Sequence, residues 1–189
     1  MDQATTMGKV LDETKRVVDG IEPSQLDNPS PCDEWTVRDV LNHVTAGATM
    51  FAVCLRDGSI SDERLGELMA GDNLGDEYKR AFGAAADEAL VAFSQPGAMD
   101  KIVKLPFGEM PAGVAVNIAI FDVATHTWDL AKGTGQTTEF DPEVIGTAYE
   151  LAVAMIPNMR AGGMIGEEVP VSDDAPMPDR LAALAGRTP

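Results

Sequence analysis

Residues 113–132, GVAVNIAIFDVATHTWDLAK, form a long apolar segment that contains a carboxylate and an imidazole. Asp122 and His126 are four residues apart, so in a helix they lie on adjacent turns and point the same way. That face also carries Ala115, Ile118, Ala119 and Asp129. An unpaired charge among Ala and Ile side chains is costly or shifts its pKa, so these groups need a partner. A metal ion is one such partner.

The only other histidine, His43, falls in a second strongly helical segment. Thr36 is a suitable N-cap for that helix, with Asp39 three residues later in place of the usual Glu of a capping box. His43 lies on the flank of the apolar stripe, and Gly47 follows one turn later. Gly47 costs about 1 kcal/mol of helix propensity relative to Ala, which a close approach or simple packing would explain. We interpret the other helices as a scaffold that brings His43 against Asp122 and His126.

Length and charge limit the class of protein. The 189 residues fit one domain with a sizeable core. The formal charge is -17, from 14 Lys plus Arg against 31 Asp plus Glu, and it disfavours nucleic-acid binding. Apolar runs of membrane-spanning length are missing, and the N-terminus MDQATTMGKV lacks the regions of a signal peptide. We therefore expect a cytoplasmic protein without a membrane partner, in which Cys32 and Cys54 stay reduced.

The periodicity of apolar residues predicts mostly helices. Long helices are expected over 3–20, 36–57, 75–94, 113–132 and 142–158, and a short helix or helical loop over 61–70. A proline-rich strap covers 22–35, a minimal β-hairpin 101–110, and an extended tail ends in a helical turn over 179–185. The simplest architecture is an all-α four-helix bundle over 1–160, with residues 161–189 as a C-terminal tail packing on it within the same domain.

The metal hypothesis has simpler rivals at this level. A single histidine near a core is most often just hydrogen-bonded there, and the Asp122–His126 spacing also permits a plain Asp–His hydrogen bond. Two histidines and one carboxylate leave coordination positions open, as in catalytic zinc or non-haem iron sites. Structural zinc is normally closed by four protein ligands, so this set favours a catalytic centre.

Three stretches carry a resemblance to a known family. NPSPCDEWTVRDVLNHV, FDVATHTWDLAKGTGQ and DDAPMPDRLAALAGR resemble the actinobacterial DinB-like proteins related to the N-terminal domain of mycothiol-dependent maleylpyruvate isomerase. The resemblance covers nearly the whole chain. It implies a DinB-like bundle that holds a divalent metal, usually zinc, with nickel, iron or manganese as alternatives. The family's ligand positions match His43, Asp122 and His126.

Two departures from the isomerase limit what the resemblance implies. The isomerase has Glu where this chain has Asp122, which shortens the reach of the carboxylate. It also carries a separate C-terminal domain that contributes to its substrate site, and 189 residues leave no room for one. The resemblance thus implies a metal bundle and a low-molecular-weight thiol such as mycothiol, but not maleylpyruvate isomerisation. A homodimer is a further expectation from the family.

Other residues in the motifs have ordinary explanations. Trp35 and Trp128 are expected to be core anchors, and the two cysteines to be inert thiols. Asp129 either orients one of the metal ligands without binding the metal itself, or is a surface acid near a helix C-terminus. Arg38 is expected to form an exposed salt bridge with Asp33 or Glu34.

The favoured function is a divalent-metal-dependent thiol transferase or isomerase-like enzyme. A metal at His43, Asp122 and His126 would keep the sulfur of a bound thiol deprotonated, and the thiolate would attack an electrophilic carbon. One alternative is a non-catalytic metal-binding or regulatory bundle, which needs no solvent-connected cavity. Another is a metal-dependent hydrolase, for which Asp129 or Glu109 are the candidate general bases.

Overall fold

The computed structural model describes residues 2–163 and 165–189. In this part of the chain, α-helices and one antiparallel hairpin make up the regular structure, apart from short 3-10 turns. The helices are α1 (Gln3–Asp19), α2 (Val37–Asp57), α3 (Asp62–Ala70), α4 (Tyr78–Phe93), α5 (Ala112–Gly133), α6 (Pro142–Ala161) and α7 (Met177–Leu184). The strands are β1 (Ile102–Leu105) and β2 (Gly108–Pro111).

Four of the five long helices form the bundle. They pack around the core in the order α2, α4, α1, α5 and back to α2. The fifth, α6, lies outside the ring against α5 and α1, and α7 packs on α6 and α5. The predicted all-α bundle with a minimal hairpin and a C-terminal tail is confirmed. Among the described residues, no helix is long and apolar enough to cross a membrane.

Helix α2 begins at the predicted capping box. The Thr36 hydroxyl accepts a hydrogen bond from the Asp39 backbone N–H at 3.2 Å. In return, the Asp39 carboxylate accepts from the Thr36 backbone N–H at 2.9 Å. This reciprocal pair satisfies two backbone donors at the helix start and fixes the first turn of α2, which lies two turns before His43.

The proline-rich strap ties the start of α2 to the end of α5. Asn28 Nδ2 donates to the Gly133 carbonyl at 3.1 Å, and Gln25 Nε2 donates to the Thr134 carbonyl at 3.0 Å. A Cβ on Gly133 would lie 2.8 Å from Val37 Cγ2, so only glycine allows this approach. The strap thereby fixes the position of the chain that carries Cys32 and Trp35 relative to both helices.

Four elements have bounds that differ noticeably from those predicted. Helix α4 begins at Tyr78, because Gly75 has a left-handed φ of 57° that a right-handed helix cannot contain. Helix α6 continues through Pro157 to Ala161, although proline removes one backbone donor. Helix α7 runs from Met177 to Leu184, slightly earlier than residues 179–185. The hairpin is shifted by one residue, with Ile102 paired to Pro111 and Leu105 to Gly108.

Candidate metal centre

The structure brings His43, Asp122 and His126 together between α2 and α5. Nε2 of His43 lies 3.5 Å from Oδ2 of Asp122. Nε2 of His126 lies 3.6 Å from Oδ1 of the same carboxylate. The three potential ligand atoms all lie within 4.8 Å of one another. Two imidazole nitrogens and a carboxylate, contributed by distant parts of the sequence, therefore surround one point.

This geometry fits a shared cation better than direct hydrogen bonds. Separations of 3.5 and 3.6 Å are long for a hydrogen bond between nitrogen and oxygen. Ligands about 2.0–2.1 Å from a tetrahedral zinc ion are about 3.3 Å apart, close to the observed spacing. Although Asp122 has a shorter side chain than Glu, its two oxygens approach both imidazoles. The donor set fits a divalent cation of the zinc type.

The Nδ1 edge of the His126 ring, opposite the candidate ligand Nε2, is hydrogen-bonded to Asp129. Nδ1 of His126 lies 2.9 Å from Oδ2 of Asp129, a hydrogen bond in which a carboxylate can only accept. In the neutral ring Nδ1 therefore carries the proton and Nε2 the lone pair, and Nε2 faces Asp122. Carboxylate partners of this kind orient metal-binding histidines and raise their basicity. Asp129 is wholly buried, so its interpretation as a surface acid is wrong.

Arg187 neutralises the buried Asp129 carboxylate. Its Nη2 donates to Oδ2 of Asp129 at 3.0 Å and its Nε donates to Oδ1 at 3.3 Å. Burial alone would lower the pKa of Arg187, but the Asp129 carboxylate raises it. Nη2 of Arg187 also lies 3.2 Å from Sγ of Cys32 in the strap. Residues from the strap, α5 and the C-terminal segment thus form one network behind His126.

This network excludes a cation from the other candidate cluster. Cys32, His126 and Asp129 also place potential ligand atoms within 4.8 Å of one another. The Arg187 guanidinium already occupies the space between the thiol and the carboxylate, and its positive charge repels a metal ion. Burial, moreover, raises the pKa of the Cys32 thiol, which disfavours the thiolate that a metal needs. Of the two clusters, the one on the Nε2 side of His126 is therefore the better candidate for a cation.

Asp122 sets the charge of the exposed half of the site. Burial alone would lower the pKa of His43, yet the Asp122 carboxylate outweighs it, and the pKa is raised from the ordinary 6.5. Burial also opposes ionisation of Asp122, but the adjacent His126 and His43 lower its pKa. The carboxylate is therefore ionised at neutral pH and available as a ligand.

Trp35 belongs to the site, whereas Trp128 is the predicted core anchor. The Trp35 ring lies 5.1 Å from the His43 ring and stacks on His126 at 5.8 Å, measured between ring centroids. Trp128 is only 1% exposed, and its indole N–H donates to Asp179 of α7 at 2.8 Å. Trp35 therefore covers the two imidazoles, while Trp128 fastens α7 to α5.

Two further expectations are corrected by the structure. Arg38 pairs with Asp72 at 2.9 Å, not with Asp33 or Glu34, because the loop after α3 folds back onto α2.

Glu109 is on β2, and the hairpin contacts the C-terminal end of α2, where Lys104 N–H donates to the Gly58 carbonyl. Since His43 lies in the N-terminal half of α2, Glu109 is at the opposite end of the helix from the site.

The sequence reasoning missed the roles of Arg187 and Trp35. Arg187 is the last residue of the third motif, but it is 58 positions from Asp129, and no local periodicity links the two. Trp35 stands beside a helix start, a position that core tryptophans also occupy. Its place next to His43 follows only from the path of the strap.

A cavity of about 350 Å³ opens beside His43. It lies between α2, the strap and α3, and it is lined by Glu34, Trp35, Asp39, Asn42, His43, Ala46, Leu68 and Met69. The side chains of His43 and Asp122 are 34% and 36% exposed, whereas that of His126 is 8% exposed. One side of the candidate metal centre therefore faces a space large enough for a small molecule.

Comparison with known protein families shows which family the chain belongs to. A family model described as the mycothiol maleylpyruvate isomerase N-terminal domain matches residues 8–131, which hold all three candidate ligands. The chain belongs to this family. An uncharacterized protein found in two strains of Mycobacterium tuberculosis, CDC 1551 / Oshkosh and ATCC 25618 / H37Rv, is 34% identical to this family member over 194 residues. That alignment covers 100% of this chain and 99% of the relative.

Solved structures of the mycothiol-dependent maleylpyruvate isomerase share the fold of this family member. The crystal structure of the isomerase aligns with a TM-score of 0.69 and 20% identity, covering 91% of this chain and 75% of the isomerase. A mutant with one histidine replaced by alanine aligns with a TM-score of 0.70 and 19% identity over the same shares. The DinB-like helical bundle predicted for the chain is thereby confirmed.

Proposed function

We propose that the protein is a divalent-metal-dependent enzyme that uses mycothiol or a similar thiol in a transfer or isomerase-like reaction. The observation that carries this proposal is the convergence of His43, Asp122 and His126 on one point beside an open cavity. Membership of the mycothiol maleylpyruvate isomerase N-terminal domain family supports the choice of thiol. Zinc is the favoured metal for two imidazoles and a carboxylate.

The number of ligands favours catalysis over a purely structural metal. Within the described residues, no fourth His, Cys, Asp or Glu belongs to the group formed by His43, Asp122 and His126. A cation with three protein ligands keeps a position for an exogenous group, whereas structural zinc is closed by four. The cavity is lined by His43, so a small molecule bound there would lie next to one of the three candidate ligands. A regulatory bundle would need neither feature.

Each side chain has a separate task in the proposed reaction. A divalent cation at this centre supplies a charge that keeps a coordinating thiol deprotonated near neutral pH. Asp129 holds the proton on Nδ1 of His126, so that Nε2 remains a lone-pair donor. Trp35 covers both imidazoles and limits the access of water to them. The sulfur would attack a carbon of an electrophile seated in the cavity.

Hydrolysis finds less support, because neither of the two residues considered as its general base from the sequence is suitably placed. Asp129 is already engaged by His126 and Arg187, and Glu109 lies on the hairpin at the far end of α2. We therefore favour thiol chemistry over hydrolysis.

The test combines elemental analysis with a thiol-transfer assay. Protein as purified is analysed for bound metal and then mixed with zinc, mycothiol and monochlorobimane. We expect about one metal per chain and a bimane-conjugation rate above the uncatalysed background. His43→Ala should lose both, while Glu150→Gln, an exposed substitution on α6, should lose neither. Full metal binding without any rate above background would favour the regulatory bundle.

A further inference from the structure

The walls of the cavity beside His43 are negatively charged. Glu34 and Asp39 both line it, and none of the lining residues is Lys or Arg. Asp39 uses one carboxylate oxygen, Oδ2, in the capping box with Thr36, and this hydrogen bonding lowers its pKa. At neutral pH it therefore presents a full negative charge. The apolar part of the lining comes from Trp35, Leu68 and Met69.

Two arginines in this part of the fold, Arg38 and Arg187, are already paired with carboxylates. Nη2 of Arg38 contacts Oδ2 of Asp72 at 2.9 Å, and Arg187 is paired with the buried Asp129. At the centre itself, Asp122 and a bound thiolate would together balance the charge of a divalent cation. The two lining carboxylates, reinforced by the chain's net charge of -17, then determine the sign of the field in the cavity.

The backbone of Glu34 adopts an uncommon conformation. Its φ is 65°, in the left-handed region that favours glycine, and it is the only such non-glycine residue in the described chain. This conformation costs free energy, and it persists where the surrounding structure enforces it. The strap therefore holds a carboxylate at the cavity mouth in a conformation that glycine would adopt more easily.

The far wall of the cavity is fastened to α2. Asn42 Nδ2 donates to the Gly71 carbonyl at 3.0 Å, and its Oδ1 accepts from the Asn73 backbone N–H at 2.7 Å. These bonds hold the loop after α3, and with it Leu68, against the helix that carries His43. They also occupy both polar atoms of the Asn42 amide. The free polar groups of the lining are thus mainly carboxylates.

We infer that the cavity selects an electrophile without negative charge, and that Glu34 determines this specificity. The inference rests on the proposed function and extends it to the second substrate. An anionic electrophile, such as a dicarboxylate, would meet like charges on the wall and no free cation to receive it. A neutral aromatic or aliphatic electrophile would instead lie against Trp35, Leu68 and Met69.

The step that this substrate undergoes is a simple displacement or addition at carbon. In displacement, the thiolate lone pair forms a sulfur–carbon bond while the carbon–halogen bond breaks and halide leaves with its electrons. The thiol proton is released to solvent beforehand. No oxidant or reductant is required, so a neutral benzyl chloride is a suitable probe.

The test compares a matched pair of probes that differ in one charge. The probes are 4-(chloromethyl)benzamide and 4-(chloromethyl)benzoate, assayed with zinc and saturating mycothiol and corrected for uncatalysed rates. We expect kcat/KM to favour the amide by about five- to tenfold, the effect of like charges across a half-open cavity. Glu34→Gln should reduce the preference, and Glu34→Lys should abolish or reverse it. Glu150→Gln and Glu150→Lys change the net charge equally, but they should leave the preference intact.

A binding measurement separates this inference from the proposed reaction. The unreactive 4-methylbenzamide and 4-methylbenzoate are titrated into the same mixture, and NMR signals of the His43 ring and the Trp35 indole N–H report binding. We expect the amide to bind several-fold more tightly and Glu34→Lys to remove the difference. Equal or tighter binding of the carboxylate, or no binding of either, would overturn the inference. Preferential amide binding without catalysis would sustain the inference and overturn only the proposed reaction.

Discussion

The two histidines of the candidate centre are held in opposite ways. His126 on α5 is 8% exposed, and its ring is fixed by Asp129, which is fixed in turn by Arg187. His43 on α2 is 34% exposed, and its charged neighbour is Asp122, the other half-exposed ligand. One side of the candidate site is thus built into the core, and on the other side His43 lines the cavity. The buried side fixes the geometry, and under the proposed function the exposed side is where a substrate would approach.

The largest expected effect is the loss of metal on removal of either histidine. His43→Ala and His126→Ala should each weaken zinc binding by more than about 100-fold, because a direct ligand contributes more than its supporting partners. Competition with a chromophoric chelator measures the affinity. The stabilities should differ, since His126→Ala removes a buried ring and one of the hydrogen bonds to the buried Asp129 carboxylate, and it costs about 1–3 kcal/mol in unfolding free energy. Wild-type zinc affinity in His43→Ala would remove α2 from the metal centre.

The next effect concerns the support behind His126. Asp129→Asn removes the charge that balances buried Arg187, so we expect unfolding in urea to show a loss of about 3–5 kcal/mol. Zinc affinity in the folded fraction should fall by about 10–100-fold, because the ring loses its anionic partner.

Asp179→Asn is the matched control for this support. It weakens the contact between α7 and Trp128 but leaves His126 and Arg187 untouched. The control should cost less stability and leave zinc affinity unchanged. An equal loss of zinc affinity in both variants would mean that docking of α7, and not Asp129 itself, supports the site.

The pH dependence of stability tests the exposed side of the candidate site, where His43 and Asp122 interact. In metal-free protein the pKa of His43 is raised, so its contribution to stability is complete below its unfolded value of 6.5 and lost as pH rises through the folded value. The pKa of Asp122 is lowered, so its contribution is present above 3.8 and lost as pH falls through its folded value. Their interaction therefore stabilises the apo-protein most between pH 3.8 and pH 6.5.

Asp122→Asn should reverse the direction of the His43 shift. Without the carboxylate, burial and the charge of Arg187 both act to lower the pKa of His43, so we expect it below 6.5. NMR titration of the ring Cε1–H signals measures this directly, and His43→Ala assigns the signals. A His43 pKa that stays raised in Asp122→Asn would show that Asp122 does not control that imidazole.

The smallest effect tests how tightly α2 is packed beside its ligand. A Cβ on Gly47 would meet no atom within 4 Å, so the close approach considered from the sequence is absent. Gly47→Ala should therefore stabilise the protein by up to about 1 kcal/mol through helix propensity. Thermal unfolding and zinc affinity are the measurements, and the affinity should not change. A destabilised variant would show that the space beside Gly47 cannot accept the added methyl group.

Local sequence patterns predicted those features of the site that depend on helix geometry. The four-residue spacing of Asp122 and His126, and the capping box of Thr36 with Asp39, depend on residues within one or two turns. The long helices also followed from their amphipathic faces, but their order around the core and the place of α6 outside the ring did not. Arg187 could not be predicted, because its contact with Asp129 depends on how α7 docks on α5 and α6. The position of Trp35 likewise depends on the strap crossing the end of α5.

Trp35 provides the centre with its own optical signal. The chain has two indoles, one stacked on His126 and tilted against His43, and the other sealed beneath α7. A cation that replaced the protons on these imidazoles would change the surroundings of the first indole and leave those of the second unchanged. We therefore expect metal binding to alter the emission of unlabelled protein through Trp35.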